Sequence, residues 1–235
     1  MNAAIPINMA AGAGRVRQAL LQVAVTLTVL AWAPGSVAKA AVLLGLWALL
    51  FLPLRRAEIL MVSGVCLFFT GMNASALKQG IFQFREPDVL GMPVYELFMW
   101  GFYLLHVYRF WGDAAHSAKR QTFIAWGLGL AFAAAFAVIA GQMLLLGVTA
   151  GLLLIALIFF HDRLDLAYVG HMVLLGALVE YVGVHAGQWF YPVDISGGVP
   201  PWFVTMWGGI GLFFRRLVLP WLSPAGRAPD GLSAR

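Results

Sequence analysis

The chain has 235 residues, of which 62% are hydrophobic and 11% charged, and its mean hydropathy is +0.86. Soluble domains carry about 45–50% apolar and about 25% charged residues, so a water-soluble domain is excluded, as is a disordered chain, which needs far more polar surface. The lone Cys66 excludes an intramolecular disulfide or a cysteine-based metal site, and the net charge of +5 is too dispersed to form a nucleic-acid-binding patch.

A bilayer asks a helix for about 20 apolar residues, with a range of about 17–25. Eight runs qualify, at 16–32, 37–54, 58–75, 92–111, 121–141, 143–160, 164–184 and 199–217. The second and sixth are short, and the break near Gly141 and Gln142 is the least marked. Arg15, Arg17 and the small residues after Trp32 imitate a secretory signal. A counterpart of that segment recurs in mid-chain, which argues for a retained first helix. With eight spans, twelve of the 15 Lys and Arg fall on one side, while Lys39, Lys78 and Arg85 fall on the other. The positive-inside rule then puts both termini in the cytoplasm, as in a multi-pass protein of the inner membrane.

An internal duplication organises these spans. Gly91-Met-Pro-Val-Tyr-Glu-Leu-Phe-Met-Trp-Gly101 matches Gly198-Val-Pro-Pro-Trp-Phe-Val-Thr-Met-Trp-Gly208 at an offset of 107 residues. Eight of thirty positions are identical over 80–109 against 187–216. The offset also pairs Phe82 with Trp189, Arg109 with Arg216, Arg56 with Arg163 and Glu58 with Asp165. The expected fold is therefore an all-α polytopic membrane protein, with eight transmembrane helices as two parallel four-helix repeats. Its parts are an N-terminal cytoplasmic segment at 1–15, a first repeat at 16–111, a cytoplasmic linker at 112–120, a second repeat at 121–222 and a disordered tail at 223–235.

Ionisable side chains inside a span are costly and mark functional sites by default. Glu96 enters the fourth span about 6 Å below the outer surface, and Glu180 stands about 24 Å up the seventh from the cytoplasmic side, at 1.5 Å per residue. Both belong to the outer half. Neither occupies the other's repeat position, since Glu96 corresponds to Phe203 and Glu180 to Asn73. Small residues Gly176, Ala177, Gly183 and Gly187 share the Glu180 face and admit a close neighbouring helix. Structural roles stay open: Glu180 hydrogen-bonded between helices, for instance to Asn73, and Glu96 partnered by Lys78 or Arg85 at the interface.

His106 and His171 lie nearer the cytoplasmic face and, taken singly, read as hydrogen-bonded packing residues. His161, Asp162 and Asp165 carry liganding atoms but suit a helix start, where Asp165 favours the macrodipole; no metal site is expected. The two outer loops, from Lys78 to Asp88 and from His185 to Asp194, are rich in aromatics. With Tyr95, Trp100, Trp189, Tyr191, Trp202 and Trp207 they form either an interfacial belt or a pocket for a long apolar ligand. His185 belongs to the same zone. Aromatic faces there would stabilise a carbocation.

Pro93-Val-Tyr-Glu-Leu-Phe-Met-Trp100 resembles the membrane-embedded carotenoid (lycopene) cyclases, whose motif is Pro-x-Glu-Glu-x-x-Phe-like. Glu96 matches the second Glu, and Tyr95 replaces the first. Glu180-Tyr-Val-Gly-Val-His-Ala-Gly-Gln-Trp-Phe-Tyr-Pro is similar to the related hydratases of bacterioruberin precursors. The resemblance implies an enzyme that protonates an isoprenoid double bond, after which the cation cyclises or takes up water, with no cofactor and no metal. That chemistry needs a carboxylic acid kept protonated by burial. It would assign Glu96 and Glu180 as catalytic, with Asn73, Tyr95, Trp100, His185, Trp189, Tyr191, Trp202 and Trp207 around a hydrophobic isoprenoid or lipid substrate. A non-enzymatic lipid or small-solute carrier, or an assembly factor for membrane complexes, are the alternatives.

Overall fold

The computed structural model describes residues 9–112, 119–192 and 197–222. Expectations placed on 1–8, on 113–118 and on the tail at 223–235 lie outside the described residues, as do Asp194 of the second outer loop and Arg227 and Arg235 of the charge count. The described residues form eight α-helices: α1 Met9–Trp32, α2 Ser36–Phe51, α3 Arg56–Lys78, α4 Glu96–Trp111, α5 Lys119–Val138, α6 Gln142–Phe159, α7 Arg163–His185 and α8 Trp202–Phe213. Two short strands, β1 Gln83–Phe84 and β2 Trp189–Phe190, make one antiparallel ribbon. The fold is thus all-α apart from that ribbon. Five segments are long and apolar enough to cross a membrane: α3, α5, α6, α7 and Trp202–Trp221. This is the pattern of a multi-pass membrane protein. Trp32, Leu49, Leu67, Phe123 and Met143 stand largely exposed on the outside of the bundle, which only an apolar surrounding tolerates over so many helices.

Local chemistry sets the helix ends. Gly80 and Gly187 both sit at φ +68°, the left-handed conformation that closes a helix. After each, the chain donates back in the same way: Ile81 N–H to the Ala76 carbonyl at 3.1 Å and Gln188 N–H to the Gly183 carbonyl at 2.8 Å. The start of α7 is capped by Asp162, which accepts from the backbone N–H of Leu164 and Asp165, while Asp165 reaches back to the Asp162 N–H. This capping box satisfies donors that a helix start leaves free. Glu58 makes the returning half of the same arrangement at α3, accepting from Arg55 N–H at 2.8 Å.

Several positions 107 apart make matching contacts. Arg109 pairs with Glu58 at 2.8 Å, and Arg216 pairs with Asp165. The second pair is extended, because α8 widens into a π-helical turn, Phe214–Val218. Consecutive Arg215 and Arg216 both reach Asp162 and Asp165 from that turn. Burial acts to raise the Asp162 pKa, but the Asp165 N–H and the Arg215 and Arg216 guanidinium groups outweigh it and hold this carboxyl below its ordinary value. Basic residues read from sequence as topology markers alone are, for Arg109, Arg215 and Arg216, also the ties between helix ends.

Glycine also lets helices meet. A Cβ on Gly101 would lie 2.6 Å from Cys66 Sγ and 2.7 Å from Val62 Cγ1. At the corresponding Gly208, the neighbours are Val173 and Val169, again 107 positions on. The halves exchange partners as well: α7 packs on α1 and α4, and α3 packs on α5. The buried core therefore runs across both halves, with Trp100 and Trp207 at its centre.

Candidate functional site

The loops after α3 and α7 pair over one end of the bundle, termed here the ribbon end; the opposite end carries the Arg–Asp/Glu ties. Gln83 pairs with Phe190 and Phe84 with Trp189. Directly beneath, Trp100 of α4 and Trp207 of α8 meet across the centre with ring centroids 4.6 Å apart and planes inclined by 30°. Phe69 stacks on the other face of Trp100 at 4.2 Å. Each indole N–H donates to a different acid. Trp100 Nε1 donates to Glu96 Oε1 at 3.1 Å, and Trp207 Nε1 donates to Glu180 Oε1 at 3.1 Å.

The two carboxyls line a single cavity of about 50 Å³, together with Asn73, Trp189, Tyr191 and Trp202. A chamber of this size has room for water beside the end of an apolar chain entering from a neighbouring space. Glu180 is a saturated acceptor: Trp189 Nε1 at 3.0 Å and Tyr191 Oη at 2.7 Å donate to Oε2, and Trp207 occupies Oε1. Burial, and next the Glu180 carboxyl, push the Tyr191 phenol well above its ordinary value, so Tyr191 remains an O–H donor. Glu96 differs. Asn73 Nδ2 donates to its Oε1 at 2.8 Å, as does Trp100, whereas Oε2 has no hydrogen-bond partner among the described residues. All donors to the two acids are neutral.

The geometry explains the small residues around Glu180. A Cβ on Gly176 would sit 2.2 Å from Trp207 Cγ, and one on Gly183 would sit 2.0 Å from Trp189 Cη2. These glycines admit the two indoles that reach Glu180, and the close neighbouring helix they allow is α8, which carries Trp207. Asn73 likewise bonds Glu96 rather than Glu180, and neither Lys78 nor Arg85 pairs with Glu96; Arg85 lies over the Phe190 ring at 5.5 Å. Two of the expected lining residues stand elsewhere. Tyr95 donates to Gln188 at 3.3 Å in a separate pocket, and His185 bonds the Tyr181 carbonyl one helical turn back.

A much larger apolar cleft of about 440 Å³ adjoins the chamber, between α3, α5 and α8. Asn73, Phe82, Trp100, Trp202 and Met206 line both spaces. The cleft follows α3 from Leu60 to Ala76, about 24 Å of helix at 1.5 Å per residue. Trp202, which also donates to Gln142 on α6, stands at the junction.

His106 and His171, read separately from sequence, meet in the structure. Their Nε2 atoms are 3.1 Å apart, His106 Nδ1 is 2.8 Å from Gln22 Oε1, and Trp111 Nε1 donates to His171 Nδ1 at 3.0 Å. An indole N–H only donates, so His171 carries its proton on Nε2 and passes a hydrogen bond to His106 Nε2. His106 in turn donates from Nδ1 to Gln22. With both rings neutral, the chain from Trp111 to Gln22 is fully matched. A metal on His171 Nε2 would move that ring's proton to Nδ1, where it would meet the Trp111 N–H donor to donor. The signal was available only as two apolar-span histidines on helices that pack together, 65 positions apart. No group of three or more potential ligands occurs among the described residues.

No protein-family model, curated protein or solved structure matches this chain.

Proposed function

We propose that the chain is an integral-membrane enzyme that acts on a carotenoid or other isoprenoid lipid by acid-catalysed protonation of a double bond. The observation that carries this reading is the single aromatic chamber lined by Glu96 and Glu180 at the head of a long apolar cleft. Glu96, with Oε2 free, is the proton donor. It transfers its proton to one carbon of the double bond, whose π electrons form the new C–H bond and leave a tertiary cation beside it. The aromatic rings that line the chamber, Trp189 and Trp202 among them, stabilise that cation. The cation is then consumed in one of two ways. A neighbouring double bond attacks it and a proton is lost, or a water adds through oxygen and gives up a proton; in each case a carboxylate takes the proton back. Glu180, saturated by three donors, suits the standing carboxylate that balances the charge. Two acids in one site with different surroundings is a recurring way to divide acid and base roles.

In this reading all eight helices span the bilayer, as two four-helix repeats inserted the same way round. Both termini face the cytoplasm, and the ribbon end faces outward. The strand register supports it. Gln83 and Phe190 are 107 apart and pair with each other, as they would about a two-fold axis along the membrane normal.

Lipids extracted from cells with and without the protein, compared by mass and retention, test the proposal. A product heavier by one water indicates hydration, and an unchanged mass with altered retention indicates cyclisation. Identical lipid profiles overturn the enzymatic reading in favour of a carrier.

A further inference from the structure

A second pocket, of about 190 Å³, lies at the ribbon end and shares no lining residue with the acid chamber. Its walls include Gly35, Ser36, Lys39, Glu86, Tyr95 and Gln188. Lys39 is 3% exposed, and its ammonium donates to Gln188 Oε1. That oxygen also accepts from Tyr95 Oη at 3.3 Å, so it is fully used. The Tyr95 ring covers one side of the ammonium at 5.6 Å. No carboxylate lies within ion-pair distance of Lys39 among the described residues, and Glu86 stands exposed at the rim. A buried ammonium whose hydrogen-bond acceptor is neutral, with Glu86 acting on it only across the pocket, has less counter-charge than normally offsets its desolvation.

Other donors converge on the same space. Ser36 Oγ accepts from Val94 N–H at 2.7 Å, a donor it shares with Asp88 Oδ2 at 3.1 Å, and its own O–H has no acceptor among the described residues. The start of α2 has Gly35 as its N-cap and no side-chain cap, so the first-turn N–H groups and the positive end of the helix dipole are uncompensated. At about 190 Å³ the cavity is large enough for a tetrahedral anion with part of its hydration.

We propose that this pocket is an anion site that takes a phosphate group, held by Lys39 Nζ and Ser36 Oγ, whether the phosphate belongs to a lipid headgroup or is free in solution. The assignment is independent of the acid chemistry and stands or falls without it.

The test uses the full chain in an uncharged detergent and in lipid nanodiscs. Thermal unfolding is followed against inorganic phosphate, with chloride at equal ionic strength as control. Lipid retention is read by native mass spectrometry from phosphatidylcholine discs containing phosphatidylglycerol. Stabilisation by inorganic phosphate identifies the free anion as a ligand, and selective retention of phosphatidylglycerol identifies the headgroup. Lys39→Met should weaken whichever is seen by about tenfold or more, and Ser36→Ala by about threefold. Lys39→Arg should retain binding and guards against misfolding of the methionine variant. The proposal is overturned if wild type prefers phosphate no more than chloride and retains phosphatidylglycerol no more than phosphatidylcholine. Wild-type binding by a folded Lys39→Met variant, or by Ser36→Ala together with loss in Lys39→Arg, also overturns it.

Discussion

The cleft between α3, α5 and α8 and the space between α1, α4 and α7 are built on positions 107 apart, yet the first measures about 440 Å³ and the second about 20 Å³. Four substitutions between the halves account for the difference. Gln22, Tyr103, His106 and His171 stand on one side, where Gly129, Ile210, Phe213 and Gly64 stand on the other. On the closed side, polar side chains fill the volume and satisfy one another from Trp111 through to Gln22. On the open side, two glycines withdraw and nothing replaces them. The two halves thus differ in filling: polar side chains close one space, while the corresponding space stays open and apolar.

The contrast can be broken in graded ways. Glu180→Gln removes the carboxylate at the common head of both spaces; turnover should fall by about 10²–10⁴-fold with the helical circular dichroism unchanged, and wild-type product from this variant and from Glu96→Gln would remove the proposed reaction centre. Gly64→Phe should fill the open cleft, because a Cβ there meets nothing within 4 Å; retention of a bound isoprenoid should drop about tenfold or more by extraction and chromatography, with stability kept. Gly176→Ala forces Trp207 away from Glu180, at a cost of about 1–3 kcal/mol measurable by denaturation in detergent. His106→Phe copies the open side into the plugged one and orphans the Gln22 acceptor and the His171 donor. It should cost about 1–2 kcal/mol, and a cycle with His171→Leu should be non-additive.

The smallest effect lies at the opposite end. Asp162 contributes stability that is present above its ordinary value near 3.8 and lost as pH falls through its lower folded value. Thermal midpoints should fall below about pH 4, and Asp162→Asn should flatten that decline; because its side chain is 45% exposed, solvent screening keeps the change modest.

Much of the frame was legible because it is written locally. Apolar runs gave all eight helices to within four residues except at the start of α1, which begins seven residues before its run, and Gly80 and Gly187 mark helix ends through their own backbone. The repeat offset aligned Arg109 with Arg216 and Glu58 with Asp165, so their matching ion pairs were latent in it. Glu96 and Glu180 stood out because carboxyls are rare in apolar helices. What sequence did not reveal depends on contacts between distant positions. Gly176 read as a helix-packing residue, since the ring it admits arrives from position 207. His106 and His171 looked solitary because helical phase on one helix says nothing about the partner. Tyr95, adjacent to Glu96, turns to the other side of the ribbon, and its neighbour's role does not transfer to it.

The ribbon has a consequence for how such a protein would meet its ligand. Phe84 and Trp189 project from the paired strands into the acid chamber, roofing it on that side, while Trp207 and Trp100 floor it. Passage is left mainly through the flank shared with the lipid-facing cleft. A molecule that enters and leaves sideways is never counted in litres of water: its effective concentration is a mole fraction in the bilayer. Rates measured in micelles should then follow surface dilution, declining as inert detergent is added at fixed total substrate.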